Sequence, residues 1–149
     1  MTAVRPLGAD DVAAFEALRQ RYSRSLGGPG TPAPEFGRAL LVRPGAVVLG
    51  AFEPDELVGF AVLLELPEAV HATTCGGLDD LFVRDDRRGR GCARALLEAA
   101  VAEGRRRRWS HLRWIVPEDD APAIRLYERL AERLPYHSYL VRLDPRRSL

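Results

Sequence analysis

A chain of 149 residues with 46% apolar and 29% charged residues has the size and composition of one globular domain. No stretch approaches the roughly 18 apolar residues of a membrane span, and the amino terminus lacks an apolar signal core, so a cytoplasmic protein with no membrane partner is expected. The net charge of +1 conceals a segregation: residues 1–83 hold 6 Arg against 11 acids, residues 84–113 hold 10 against 4, and residues 114–149 hold 6 of each.

In chain order, residues 2–6 read as a short opening strand. Asp10 or Asp11 can cap the helix that follows, where Phe15, Leu18, Tyr22 and Leu26 share one face. GGPGTPAP at 27–34 can only be a loop, and a short helix covers 35–41. AVVLGAF at 46–52 and LVGFAVLLE at 57–65 read as strands, and the four-residue turn Glu53-Pro54-Asp55-Glu56 between them favours an antiparallel hairpin. A second loop over 67–77 leads to the strand LDDLFVR at 78–84. After a glycine-containing basic segment, Ala93, Leu96, Leu97, Ala100 and Val101 form the apolar stripe of a helix. HLRWIV at 111–116 is another strand. The helix after Pro122 places Ala123, Leu126, Tyr127, Leu130, Ala131 and Leu134 on one face, and YHSYLVRL at 136–143 is a final strand.

Every one of the 22 basic residues is arginine, so no lysine side chain is present for acylation or Schiff-base chemistry. Cys75 and Cys92 are expected as free thiols, and neither they nor the scattered His71, His111 and His137 have metal-ligand spacing, so no metal is expected. Trp109 and Trp114 read as helix-end and core aromatics, and Arg105 to Arg108 as a solvated helix end. With near-neutral total charge and no base-reading motif, a nucleic-acid partner is not expected.

The chemistry concentrates at Arg88-Gly89-Arg90-Gly91-Cys92-Ala93, between a predicted strand and a predicted helix. Glycines there let backbone N–H groups converge on an anion, and the helix start adds positive potential. Flanking guanidinium groups add charge-assisted bonds to phosphate. No Gly-Lys-Ser/Thr follows, which excludes a Walker A loop, and Arg94 stands where a dinucleotide fingerprint needs its third glycine.

The run LDDLFVRDDRRGRGCARALL resembles the acetyl-coenzyme A motif of GNAT-superfamily acyltransferases, Arg/Gln-x-x-Gly-x-Gly/Ala, with Arg88, Gly91 and Ala93 at its defined positions. DDAPAIRLYERL resembles the second motif of that family, Asn-x-x-Ala-x-x-Leu-Tyr, with Asp120, Ala123, Leu126 and Tyr127 in its places. The resemblance implies an α/β (α+β) fold in one domain over 1–149. A mixed, twisted sheet is splayed open between two central strands, here 78–84 and 111–116, with flanking helices. It implies acetyl-CoA as co-substrate, its pantetheine arm paired with backbone groups of Leu81 and Val83. A backbone amide near Phe82–Val83 would polarise the thioester carbonyl. The pyrophosphate would sit on the amides of Gly89, Arg90, Gly91, Cys92 and Ala93, with the Arg88 and Arg90 side chains beside it. Asp120 and Ala123 would approach the cofactor from the second motif.

In the same reading Tyr127 is the general acid for the departing thiolate, since a phenol of pKa near 10 is protonated at neutral pH. LDDLFV is similar to the Leu-Glu-Asp-Leu-Phe-Val segment of the spermidine/spermine and thialysine acetyltransferase branch, which puts Asp79 in the place of its glutamate. Asp79 and Asp80, on opposite faces of a regular strand, are the candidates to accept the proton of an amine or hold its ammonium group. The chain departs from the pattern at Asp120, which replaces the usual Asn, and at ERLAERLP, where a Gly-Phe often stands. Only one closing strand is evident, so the acceptor pocket is expected to be either reshaped or completed by a second subunit of a homodimer. The resulting expectation is an N-acetyltransferase for a primary amine, a small cationic one (diamine, polyamine or lysine-like), by direct transfer in a ternary complex. The rival on the same fold is a non-catalytic acyl-CoA sensor.

Overall fold

The structure is a computed structural model and describes residues 1–143. These fall into two compact units, from Met1 to Trp114 and from Ile115 onward.

The first unit holds a five-stranded sheet in the order β1-β2-β3-β4-β5: β1 (Ala3–Pro6), β2 (Ala46–Phe52), β3 (Leu57–Glu68), β4 (Thr73–Val83) and β5 (Leu112–Arg113). β1 to β4 pair antiparallel in sequence order, and β5 joins β4 in parallel. Helices α1 (Val12–Ser25) and α2 (Pro34–Leu41) separate β1 from β2, and α3 (Cys92–Arg106) separates β4 from β5. A 3-10 turn at Ala9–Asp11 leads into α1, making Asp11 its N-cap residue; its carboxylate accepts from the Gly8 amide and pairs with Arg5.

Helices cover the sheet on both faces. Phe60 meets Phe15 of α1 edge-on, with centroids 5.2 Å apart, while the neighbouring Gly59 faces Leu96 of α3. β3 is therefore buried without alternation from Leu57 to Leu63, the pattern of a strand buried on both sides. On the α1 side the core is Leu7, Phe15, Leu18, Val48, Phe60 and Phe82. On the other side α3 buries Leu96, Leu97 and Ala100, while Ala93 and Val101 sit at the edges of its stripe. Leu26, assigned to the apolar face of α1, is instead exposed beyond the end of the helix.

The expected loop over 67–77 is mostly strand. β3 runs on to Glu68 and β4 begins at Thr73, leaving a four-residue connection in which Ala72 takes a left-handed φ of 52°. Pro67 and the pair Gly76-Gly77 are unfavourable strand residues, yet they and the β-branched Thr73 and Thr74 pair across the hairpin. Gly76 has a packing reason: the Trp109 ring lies where its Cβ would be. The strand expected over 111–116 is regular only at Leu112–Arg113, which pair with Gly76 and Gly77. Beyond Gly77 the ladder between β4 and β5 stops, and this is the splay.

The second unit contains α4 (Ala121–Tyr127), opened by Asp120, whose carboxylate accepts from the Ala123 amide at 3.2 Å. Pro122 sits in its first turn. The helix stops at Tyr127, short of the predicted stripe, and Leu130 and Leu134 are exposed. The closing strand expected at 136–143 does not form; Tyr136, Tyr139, Leu140, Val141 and Leu143 are exposed. The alternating pattern is present, but a strand needs a paired edge, and 136–143 makes no ladder among the described residues.

Candidate active site

The register of β3 against β4 determines what β4 offers to the splay. The Arg84 amide donates to the Val58 carbonyl, so Phe82, two residues back and opposite Phe60, also directs its polar groups at β3. The intervening Leu81 and Val83 direct theirs the other way, into the space where β5 no longer pairs. Among the described residues this stretch of β4 has no ladder partner on that side, and it is where the resemblance implies the pantetheine arm. The Val83 carbonyl already accepts from Arg88 Nε at 3.2 Å, and the Arg88 guanidinium also pairs with Asp85 at 2.9 Å. Arg88 thus folds back on the end of its own strand, an orientation that spacing does not reveal.

After β4 the chain makes a 3-10 turn at Asp85–Arg87 and reaches α3 through two left-handed glycines, Gly89 at φ 74° and Gly91 at φ 86°. Nothing lies within 4 Å of a Cβ built on either, so they are glycines for backbone conformation and for an open approach, not for packing. Gly91 is the N-cap and brings no capping side chain. The intrahelical ladder starts with the Ala95 amide donating to the Gly91 carbonyl, leaving the amides of Cys92, Ala93 and Arg94 outside it. Open amides at a positive helix end, reached through unobstructed glycines, suit a phosphate-bearing ligand.

Ion pairs anchor this loop. Arg84 bonds Glu56 and Asp86; Arg87 pairs with Glu56 at 3.3 Å and with Glu53 at 3.8 Å. Glu53 also accepts from Thr2 at 2.8 Å and from the Cys92 thiol at 3.1 Å. The sequence reading missed the role of Glu53 and Glu56, seeing only turn residues; the signal available was two acids in the first hairpin and a basic loop later. Cys92 is buried, and burial raises its thiol above the ordinary value, which keeps it protonated and unsuited to nucleophilic attack. Arg90 is exposed and lines, with Met1, Thr2, Glu53, Pro54 and Arg87, an open cleft of about 320 Å³.

Asp79 and Asp80 do not alternate across a regular strand. The register slips between Val62 opposite Asp80 and Leu63 opposite Leu78, so Asp79 is the extra residue of a β-bulge. The bulge breaks the alternation that would send the two side chains to opposite faces, and the Asp79 carboxyl acts on that of Asp80. Asp79 is exposed; Asp80 is half-buried and accepts from the Tyr22 hydroxyl of α1 at 3.0 Å. Burial pushes the Asp80 carboxyl above the usual range, the Tyr22 bond opposes this, and the Asp79 charge adds to it.

In the second unit, Asp120 and Ala123 are joined to each other by the α4 cap. Tyr127 closes that helix, and burial, with the Asp120 charge, raises its phenol further above neutral pH. Among the described residues no group of three or more His, Cys, Asp or Glu side chains is placed to hold a metal ion. No helix among them is long and apolar enough to cross a membrane.

Residues 13–131 match the model of the acetyltransferase (GNAT) family. The structure is similar to that of a ribosomal-protein-alanine N-acetyltransferase from Brucella melitensis biovar Abortus 2308, at 30% identity over 96% of this chain and 99% of that one, with a TM-score of 0.84. An aminoglycoside acetyltransferase from an uncultured soil metagenomic sample shares the fold at 24% identity, 97% and 99% coverage and a TM-score of 0.85. So does a transcriptional regulator from Bacillus halodurans C-125, at 13% identity, 96% and 100% coverage and a TM-score of 0.83. No curated protein sequence matches significantly. With most of its length matched by the family model and its splayed mixed sheet shared with these structures, the chain belongs to the acetyltransferase (GNAT) family.

Proposed function

We propose that the protein transfers the acetyl group of acetyl-CoA to a primary amine, both units acting as one catalytic domain. The observation that carries this reading is the pairing, on successive elements, of an unladdered edge at Leu81 and Val83 with amides at the start of α3 that lie outside the helical ladder. Acetyl-CoA would supply the acetyl group as an activated thioester. The strand edge would hold the pantetheine arm, and the amides from Gly89 to Ala93 the pyrophosphate. Arg90 would add a charge-assisted contact, while Arg88 braces the loop against Val83 and Asp85.

A free alkylamine is mostly protonated at neutral pH and must lose a proton before it attacks. Asp80 accepts that proton and Asp79 holds the ammonium charge; the raised Asp80 carboxyl is the better proton acceptor of the two. Tyr127, kept protonated, serves as the general acid for the thiolate. The paired aspartates favour a small cationic acceptor, and the resemblance of LDDLFV to the polyamine and thialysine branch points the same way. A protein amine is the second reading, favoured by the ribosomal-protein-alanine specificity named for the 30% identical relative.

The test is calorimetric titration with acetyl-CoA, then CoA release across diamines, polyamines, lysine and a peptide with an amino-terminal alanine. One-site binding weakened by Arg90→Ala, with release for a diamine or lysine but not the peptide, supports the reading. In the same assay Tyr127→Phe should lower turnover by about 10²-fold or more. Binding without release for any amine leaves an acyl-CoA sensor.

A further inference from the structure

The Tyr22–Asp80 contact joins two elements 58 residues apart in sequence at a strand irregularity. The Tyr22 ring is held from two sides, with centroids 5.2 Å from Phe82 and 5.7 Å from Phe60, so its hydroxyl reaches Asp80 from a packed base. The titratable groups facing Asp80 are Tyr22 from α1 and Asp79 from its own strand, and its cross-strand partner on β3 is the apolar Val62. Tyr22 donates to Oδ1 of Asp80.

We infer that Tyr22 is a positioning residue, which fixes Asp80 so that this carboxyl, and not Asp79, takes the proton of the acceptor amine. The inference rests on the amine acetylation proposed above. An N–H bond of the ammonium breaks, its electron pair stays on nitrogen, and an O–H bond forms at the Asp80 carboxylate. The hydroxyl stabilises the charged form of Asp80, while Asp79 disfavours it. Without the hydroxyl the pair should hold a proton to higher pH, and the aspartate that ionises first is no longer determined.

The experiment compares wild type, Tyr22→Phe, Asp80→Asn and the double variant, each checked for folding by near-UV circular dichroism. The aspartate carboxyls are titrated by carbon-13 NMR without ligand, and kcat/KM for the best amine is followed against pH. In Tyr22→Phe the Asp80 titration should move to higher pH. The kcat/KM of this variant should fall by up to about tenfold on the acid side and return to the wild-type value at high pH. In the Asp80→Asn background the same change should have no further effect. Should Tyr22→Phe fail to fold, Tyr22→His, which keeps a donor on a ring, should fold and keep the acid limb nearer the wild-type position.

An active enzyme whose Asp80 titration does not move in a folded variant, or whose loss is uniform across pH, overturns the role of Tyr22 alone. A titration that moves in a protein inactive toward every amine overturns the acetylation reading, and with it the assignment to the amine.

Discussion

Many charged side chains among the described residues are paired with partners of opposite sign, and the consequences differ by site. Glu103 on α3 is bonded by Arg106 and Arg107 at 2.6–2.9 Å, and these guanidinium groups pull its carboxyl down to about 2. A carboxyl depressed on folding stabilises the native state fully above its unfolded value, near 4.5, and loses that contribution as pH falls toward 2. Glu103→Gln should therefore lower Tm at pH 7, and the gap from wild type should close as pH approaches 2; thermal melts across that range measure it. Asp80 is the opposite case, raised because it is half-buried beside another carboxylate. Its identity as an acid was legible in LDDLFV, but its pairing with Asp79 and Tyr22 was not. Strict alternation sends adjacent side chains to opposite faces, and only the one-residue slip against Val62 and Leu63 brings them together.

At the scale of elements, two glycines separate binding from stability. Gly91 at φ 86° opens α3 with unobstructed space around it. Gly91→Ala should cost about 1–2 kcal/mol of local strain and shift the loop amides, read as a more than tenfold weaker affinity for acetyl-CoA. Gly76 is buried against the Trp109 ring, whose indole N–H donates to Glu65 at 2.8 Å. Gly76→Ala forces that ring to move and should cost about 1–3 kcal/mol, read as a lower denaturation midpoint. The motif made Gly91 legible; Gly76 looked like a loop residue because its partner is 33 positions away. Helix α3 was legible from its stripe, since Leu96, Leu97 and Ala100 recur at helical spacing and are buried. The closing strand at 136–143 was overestimated for a related reason: alternation describes a side-chain pattern, and pairing needs a neighbour that the pattern does not name.

At the scale of the whole chain, part of the excess of arginine in residues 84–113 is met by acids from the earlier part of the chain. Arg84 and Arg87 are tied to Glu56 and Glu53, and Arg107 to Glu65, while Arg106 and Arg107 also share Glu103 within the segment itself. At the start of α3 the helix end and the exposed Arg90 supply positive charge that an anionic ligand would meet. Acetyl-CoA affinity should weaken as ionic strength rises from about 0.01 M to 1 M, over which the screening length shortens from roughly 30 Å to 3 Å. Arg90→Ala should flatten that dependence, and Arg105→Ala, at the far end of α3, should leave it intact; calorimetry at several salt concentrations distinguishes them. What the sequence by itself determined was the order of elements, the glycine loop before α3 and the family, because local spacing and backbone freedom are written in consecutive residues. The unladdered edge of β4 and the Tyr22–Asp80–Asp79 cluster were decided by the tertiary structure alone, because each depends on strand register and on contacts between residues far apart in the chain.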